Sequence, residues 1–260
     1  MKIVLIGSGN VATHLGKAIS GQRGYPIAQV YSRKLIHARS LGLKLKSEFT
    51  DDLNHLIRNA DLYLIAISDD FIENFARDLK EYLPANKLIV HTSGSVSMMV
   101  LKPYFKNFGV LYPLQTFSKE KKMIYTQIPF LVCGSSKKIE SELRSFAGSI
   151  SKHVHAIKDE DKSYIHLAAV FVNNFTNAFY EIGRKIAVKR KIPFDFFLPL
   201  ITETSAKLQS LSPQEAQTGP ARRNDQKVLN AQRAILKKLF PAWLSIYNEM
   251  TALIQNFQKK

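Results

Sequence analysis

The chain has 260 residues, of which 45% are hydrophobic and 22% are charged, as in a globular protein with a sizeable core. Its one cysteine, Cys133, excludes an internal disulfide and a cysteine-rich metal site, and its apolar setting predicts a buried strand thiol. The formal net charge of +16 is shared about equally by residues 1–150 and 151–260, so no basic tail or block holds the excess. Charge spread in this way suits an anionic small molecule as well as nucleic acid, and nucleic-acid binding is the weaker hypothesis.

The first part of the chain alternates apolar runs with helical patterns, as βαβ units do. Strands are predicted at 2–6, 27–31, 62–67, 87–91, 109–112, 129–133 and 153–157. Helices are predicted at 10–20, 34–41, 50–58, 70–82, 95–106 and 137–149. Runs of Val, Ile and Leu are typical of parallel strands covered on both faces, so the α/β sheet should be doubly wound.

After residue 157 the sequence shows only helical patterns, at 161–188, 194–211, 213–217 and 224–256. We therefore predict two domains, an α/β domain over 1–157 and an all-helical domain over 158–260. No apolar stretch approaches the roughly twenty residues of a membrane span. The first apolar run is also too short for a signal peptide, so the expected location is cytoplasmic.

The first predicted strand ends at Gly7-Ser8-Gly9-Asn10-Val11-Ala12, a G-x-G-x-x-A pattern that leads directly into a helix. Gly7 permits the tight turn, Gly9 lets a pyrophosphate approach the backbone, and Ala12 allows the helix to pack on the strand. The N–H groups at the helix start would then hold the phosphates. This context favours a dinucleotide-binding Rossmann domain over a structural glycine turn.

The end of the second predicted strand indicates which dinucleotide binds. An NAD site places Asp or Glu about twenty residues after the glycine turn, whereas this chain has Ser32-Arg33-Lys34. A hydroxyl followed by two cations can hold a 2′-phosphate, which favours NADP. The alternative is that Arg33 and Lys34 are ordinary solvated residues.

Two further segments follow predicted strands, where a nicotinamide would lie. Ser68 and Asp69 are candidate cofactor contacts, although Asp69 or Asp70 could instead cap the next helix with Glu73. In His91-Thr92-Ser93-Gly94-Ser95, hydroxyls around a glycine can face a substrate carbonyl or carboxylate, and Ser93 is the candidate that orients it.

The helix from His166 to Glu181 carries a polar arc without lysine or arginine. At 100° per residue, the arc contains His166, Asn173, Asn174, Asn177 and Glu181. This composition favours a face towards a cleft, with a domain interface as the alternative. His166 is the candidate proton donor or acceptor, because histidine titrates near neutral pH, and Asn174 would orient the substrate.

A last candidate is the segment Thr218-Gly-Pro-Ala-Arg222-Arg223-Asn224-Asp225. Gly-Pro predicts a rigid turn, and Arg223 with Asp225 could form an ion pair or bind an anion. Without a fold to place it, a surface turn is the default interpretation.

Taken together, these segments make the chain resemble a bacterial family of Rossmann-like NADP oxidoreductases with a C-terminal domain of unknown function. The resemblance rests on Gly7–Ala12, His91–Gly94, Tyr112–Phe117, the helix from His166 to Asn174, and Thr218-Gly-Pro with Arg223 and Asp225. Its relatives are pyrroline-5-carboxylate reductase, deazaflavin-dependent NADP oxidoreductase and the 6-phosphogluconate dehydrogenase-like enzymes. The resemblance implies a helical second domain that forms a homodimer.

The chain departs from this pattern at three positions. The related hydroxyacid dehydrogenases place a catalytic lysine four residues before an asparagine, and the residue four before Asn174 is Val170. The family's histidine before Pro113 is Tyr112 here, and its glycine before Asp225 is Asn224.

The sequence therefore predicts an NADP-dependent oxidoreductase that transfers a hydride to or from a small molecule in the cleft between the two domains. The missing lysine keeps a second hypothesis open, a non-catalytic nucleotide-binding redox sensor or scaffold.

Overall fold

An eight-stranded sheet organises the N-terminal part of the protein in the computed structural model, which describes residues 1–257. Its strands are β1 (Ile3–Ile6), β2 (Ile27–Tyr31), β3 (Glu48–Thr50), β4 (Leu62–Ile65), β5 (Leu88–His91), β6 (Asn107–Pro113), β7 (Phe130–Gly134) and β8 (Val154–Ala156). They lie in the order β3-β2-β1-β4-β5-β6-β7-β8. The strands β1 to β6 are parallel, β7 is antiparallel to β6, and β8 is parallel to β7. The strand order reverses between β1 and β4, which confirms the doubly wound Rossmann fold.

Helices cover both faces of this sheet. They are α1 (Asn10–Ser20), α2 (Leu35–Leu45), α3 (Ile72–Leu79) and α4 (Lys137–Ile150). Along β1, Ile3 and Leu5 face the core formed with α1, α2 and α4, whereas Val4 and Ile6 face the core formed with α3. Because every residue of β1 and β4 is buried, the carboxyl ends of the strands are held rigidly where a ligand would bind.

Two helices predicted from the sequence are wrong. Residues 50–58 form the end of β3 and a 3₁₀ turn over Leu53–His55, because the Asp52 side chain accepts the Asn54 N–H and β3 pairs with β2. In the segment 95–106 only Met98–Leu101 is helical, as a 3₁₀ turn capped by Ser97. In both cases short polar side chains bind nearby backbone N–H groups and compete with the helix.

In the described residues after 157, the regular elements are all helices, joined by turns. They include α5 (Asp159–Ala169), a π-helical segment (Val170–Phe175), α6 (Thr176–Lys189), α7 (Leu198–Ala206), α8 (Pro213–Ala216), α9 (Gln226–Leu239) and α10 (Leu244–Phe257). The single helix predicted over 224–256 is wrong, since it is divided at Phe240–Trp243. Pro241 has no N–H to donate, and in a continuous helix its ring would clash with the preceding turn.

The chain forms two compact units, Met1–Ala178 and Phe179–Lys260. The first unit contains the whole sheet together with α5 and the π-helical segment, so the helix that carries His166 belongs to the same unit as the glycine turn. Among the described helices, none has both the length and the apolar character needed to cross a membrane.

Candidate dinucleotide-binding site

The turn between β1 and α1 has the geometry of an anion cradle. Gly7 has a φ of 119°, and a Cβ there would lie 2.1 Å from the Ala66 carbonyl oxygen, so the turn requires glycine. The Gly7 N–H donates to the Tyr31 carbonyl at 2.8 Å, which fixes the turn on β2. Because α1 has no side-chain cap and no acidic residue in its first turn, its first N–H groups remain available to an anion.

A cavity of about 630 Å³ opens beside this turn, at the carboxyl ends of the parallel strands. It brings together most of the predicted site residues, namely Gly7, Ser8, Gly9, Asn10, Val11, Ser32, Arg33, Ser68, Asp69, Ser93 and His166. Three predicted residues do not line it. Ala12 is fully buried in the core, Lys34 is exposed just before α2, and Asn174 lies in the π-helical segment.

At one end of the cavity, polar and aromatic groups converge near the end of β2. The Ser8 and Ser32 hydroxyls lie 2.8 Å apart. The Arg33 guanidinium lies over the Phe71 ring, 4.7 Å from its centroid, and both residues line the cavity. A cation stacked on an aromatic ring presents a flat surface and free N–H groups, which suits a nucleobase with a nearby phosphate.

The side chain of Asn10 has a structural partner. Its Nδ2 donates to the Phe117 carbonyl at 2.9 Å, so one of its two amide N–H groups is already used. Phe117 in turn stacks on the buried His14 ring of α1, with 4.9 Å between the ring centroids. The Tyr112–Phe117 motif is therefore tied to the glycine-turn helix.

His166 and Tyr112 form a hydrogen-bonded pair at the other end of the cavity. His166 Nδ1 lies 3.1 Å from the Tyr112 hydroxyl, and both residues line the cavity. Burial, together with the Asp69 carboxylate, raises the pKa of Tyr112, so its hydroxyl keeps its proton near neutral pH. Gly94 packs against both side chains, because a Cβ there would lie 2.6 Å from the Tyr112 ring and 2.8 Å from His166 Nδ1.

Ser93 begins a turn of residues 93–97, which we call the serine turn. The Ser93 hydroxyl oxygen accepts the N–H groups of Ser95 and Val96 at 3.1 and 3.0 Å, so its lone pairs are used within the turn. Its hydroxyl proton remains available to Ser95, whose oxygen is 3.2 Å away, or to a ligand. Asp69 accepts the Ser95 hydroxyl. The capping alternative for Asp69 is not observed, because α3 begins without a side-chain cap.

The predicted polar arc after His166 assumed a continuous α-helix. The π-helical segment Val170–Phe175 has wider turns and rotates the following residues relative to His166, so the calculated arc does not hold. Asn173 and Asn174 are exposed, and their side-chain amides lie 3.4 Å apart. The structure therefore brings His166, but not Asn174, to the cavity.

The segment from Thr218 to Asp225 belongs to the second unit and forms a turn before α9. Asp225 caps α9 by accepting the Val228 N–H at 3.2 Å, and within residues 1–257 it forms no ion pair with Arg223. Asn224 has a φ of 53°, a left-handed conformation that glycine prefers and asparagine tolerates. This explains how asparagine replaces the family's glycine at this position.

Sequence reasoning assigned no role in the site to Tyr112 or Phe71, although both line the cavity. Tyr112 is the last residue but one of β6, so a search that included the ends of the strands as well as the residues after them would have found it. Phe71 gave no such signal, because only the folded chain brings its ring beneath Arg33. Cys133 is buried on β7 as predicted, and burial raises the pKa of its thiol to about 12.

Comparison with known proteins defines the class. Residues 128–254 match the family described as a domain of unknown function (DUF2520). The chain is 38% identical to a putative NADP oxidoreductase from Bacteroides fragilis, with a TM-score of 0.91 and 98% of each chain covered. No curated protein matches the chain.

Two more distant structures share the fold. A 1-pyrroline-5-carboxylate reductase from Streptococcus pyogenes is 17% identical, with a TM-score of 0.64 and 98% of each chain covered. An imine reductase from Myxococcus stipitatus, solved with NADP⁺, is 15% identical with a TM-score of 0.69, and the match covers all of this chain and 94% of that one.

The fold and the glycine turn define a Rossmann-type dinucleotide-binding protein with a helical C-terminal part. The full-length match then identifies the particular family: the chain belongs to that of the Bacteroides fragilis protein, with its C-terminal domain of unknown function.

Proposed function

We propose that this protein is an NADP-dependent oxidoreductase that transfers a hydride between the nicotinamide and a small molecule. The cavity that joins the glycine turn to the His166–Tyr112 pair carries the proposal, because it puts a dinucleotide cradle and a proton-transfer pair in one continuous site. The Bacteroides fragilis relative, a putative NADP oxidoreductase, supports the choice of cofactor. In this proposal residues 1–157 bind the cofactor and residues 158–260 serve the substrate and dimerisation.

The residues present fit NADP. The N–H groups at the start of α1 would take the pyrophosphate, with Gly7 to Val11 as the cradle. Ser8, Ser32 and Arg33 would hold the 2′-phosphate and the adenine, and Lys34 would add positive charge from the start of α2. Ser68 and Asp69 lead towards the nicotinamide end.

In this proposal, the residues at the His166 end of the cavity supply the proton that completes the reduction. NADPH, when bound, supplies a hydride to the carbon of a C=N or C=O bond. His166 is the proposed donor of the proton that the nitrogen or oxygen then takes up, and the Tyr112 hydroxyl orients the imidazole through Nδ1. Ser93 is the proposed hydrogen-bond donor that holds the substrate, and Asn174 would contribute only if the π-helical segment turned towards the site.

Replacing His166 tests this assignment. With NADPH and a panel of imines and keto acids, His166→Ala should lower turnover by about 10²–10⁴-fold, because general acid–base catalysis contributes that much. NADPH affinity should stay close to the wild-type value. The matched control is His153→Ala, which removes an exposed histidine outside the cavity. A His166→Ala variant with normal turnover would remove His166 from this role.

The second candidate is a non-catalytic NADP-binding sensor or scaffold, favoured by Val170 at the position of the related enzymes' lysine. A sensor would bind NADPH with the same affinity as the enzyme would, but would oxidise it with no member of the panel. The same panel of substrates therefore distinguishes the two.

We also propose that the helical region forms a homodimer. Large apolar side chains are exposed along α5 and the π-helical segment, for example Tyr164 (74%), Phe171 (60%) and Val172 (75%), and such a patch is rare on a monomer. More are exposed on the later helices, including Phe196, Leu200, Ile235 and Phe257. A second copy of the chain would cover surfaces of this kind.

A charged residue introduced into this patch should dissociate the dimer. Val172→Asp is expected to convert a dimer to a monomer in sedimentation velocity, because dimerisation would bury the new carboxylate without a partner. Ile36→Asp is the matched control, since Ile36 is 72% exposed on α2, away from the patch. A wild-type monomer at micromolar concentration would contradict the proposal.

A further inference from the structure

An ion pair within α5, formed by the buried Lys162 and by Asp159, contacts the serine turn. Lys162 is 1% exposed and lies one helical turn before His166. Its Nζ is 3.4 Å from Asp159 Oδ1 and donates to the Val96 carbonyl. Burial lowers the pKa of Lys162, and the Asp159 carboxylate opposes this effect. A buried ammonium has a high desolvation cost, which its contacts with Asp159 and Val96 offset.

Asp159, the acidic partner of Lys162, also forms hydrogen bonds with this part of the chain. Its carboxylate accepts the Ser97 hydroxyl and the Met98 N–H, the latter at 3.0 Å. Lys162 and Asp159 therefore hold both Val96 and Ser97. Through these contacts, the position of the serine turn is fixed relative to the helix that carries His166.

His91 supports the start of the serine turn. Its Nδ1 accepts the Ser93 N–H at 3.2 Å, which leaves the proton of the neutral ring on Nε2. Nε2 is buried and has no hydrogen-bond partner in the described part of the chain. Burial, and then the nearby Lys162 ammonium, lower the pKa of His91 to about 4. His91 thus stays neutral near pH 7 and keeps Nδ1 as an acceptor.

We propose that Lys162 is a positioning residue for the reacting end of the cavity. By holding Val96 and pairing with Asp159, it keeps the serine turn against α5, so that Gly94 packs on His166 and Tyr112 and Ser93 faces the cavity. From the turn that Lys162 holds, the Ser95 hydroxyl donates to Asp69, which lies towards the proposed nicotinamide end; among the described residues, none of these hydrogen bonds reaches Ser32 or Arg33. Loss of Lys162 should therefore weaken the binding of the nicotinamide half of NADPH and leave the adenylate half unaffected.

This inference rests on the proposed function. Titrations with two ligands distinguish a failure of the inference from a failure of the proposed function. Adenosine 2′,5′-bisphosphate carries only the adenylate half, whereas NADPH carries both halves. In calorimetric titrations, Lys162→Met should bind the bisphosphate within about threefold of wild type, while its NADPH affinity should fall about tenfold. Lys158→Met is the matched control: it removes a lysine that is 77% exposed just before α5, and it should bind both ligands normally.

A double variant keeps the test decisive if Lys162→Met is unstable. Lys162→Met with Asp159→Asn removes both charges and should recover stability, since no carboxylate that has lost its partner remains. Methionine still cannot donate to Val96, so NADPH affinity should stay low. Recovery of NADPH affinity in the double variant, or equal weakening of both ligands in Lys162→Met, would overturn the positioning role. A wild-type protein that binds neither ligand would instead refute the proposed function, and this inference with it.

Discussion

Gly7→Ala is expected to abolish NADP binding and to lower the free energy of unfolding by about 3–5 kcal/mol. Two effects add. The φ of 119° is one that an L-amino acid rarely adopts, and the new Cβ would lie 2.1 Å from the Ala66 carbonyl oxygen. Since that oxygen belongs to the backbone, relief requires a shift between β1 and the chain after β4. Urea unfolding and calorimetric titration with NADP measure the two losses separately.

Gly9→Ala is the matched control for this prediction. Gly9 has an ordinary φ of −73°, and a Cβ there meets no atom within 4 Å. The variant should therefore unfold within about 1 kcal/mol of wild type. Its NADP affinity should still fall at least about tenfold, because a methyl group would block the approach of a pyrophosphate to the backbone. Normal NADP binding by Gly9→Ala would contradict the placement of the pyrophosphate at this turn.

Ser32→Asp is expected to reverse the cofactor preference. A carboxylate at the end of β2 would repel the 2′-phosphate of NADP, and two charges about 4 Å apart near a protein surface interact by several kcal/mol. NADP affinity should fall on the order of 10²-fold. NAD affinity should rise, because the carboxylate can accept hydrogen bonds from the ribose hydroxyls. Parallel titrations with NADP and NAD measure the change.

Ser20→Asp controls for the added charge. Ser20 is the exposed last residue of α1, about 15 Å along the helix from the glycine turn, so salt screens most of its effect. It should leave both affinities unchanged. If the Ser32→Asp variant still preferred NADP, the 2′-phosphate would not lie beside Ser32. That result would contradict the proposal that Ser32 and Arg33 recognise the 2′-phosphate.

Local patterns predicted most of the Rossmann domain. Buried parallel strands need continuous apolar runs, so β1, β2, β4 and β5 were recognisable from the sequence. Prediction from hydrophobic periodicity failed where short polar side chains form hydrogen bonds with the nearby backbone. Ser93 and Ser97 hold the chain in turns within a predicted helix, and Asp52 does the same after β3.

The candidate site could be predicted only in part. The rule that ligands bind at the ends of parallel strands led to Ser32, Asp69 and Ser93, and the cavity contains all three. It did not lead to Lys162, because its hydrogen bond to Val96 joins residues far apart in the chain. It also could not foresee the π-helical segment, which rotates Asn174 relative to His166.

The sequence by itself determined the type of the fold and the glycine turn, because these depend on periodicity and on backbone conformations that few residue types allow. Only the tertiary structure decided which polar side chains meet. The His166–Tyr112 pair, Arg33 on Phe71 and the hydrogen bond from Lys162 to Val96 each depend on how separate elements pack. The physical reason is that a hydrogen bond requires atoms about 3 Å apart, and spacing along a chain does not fix distances between elements.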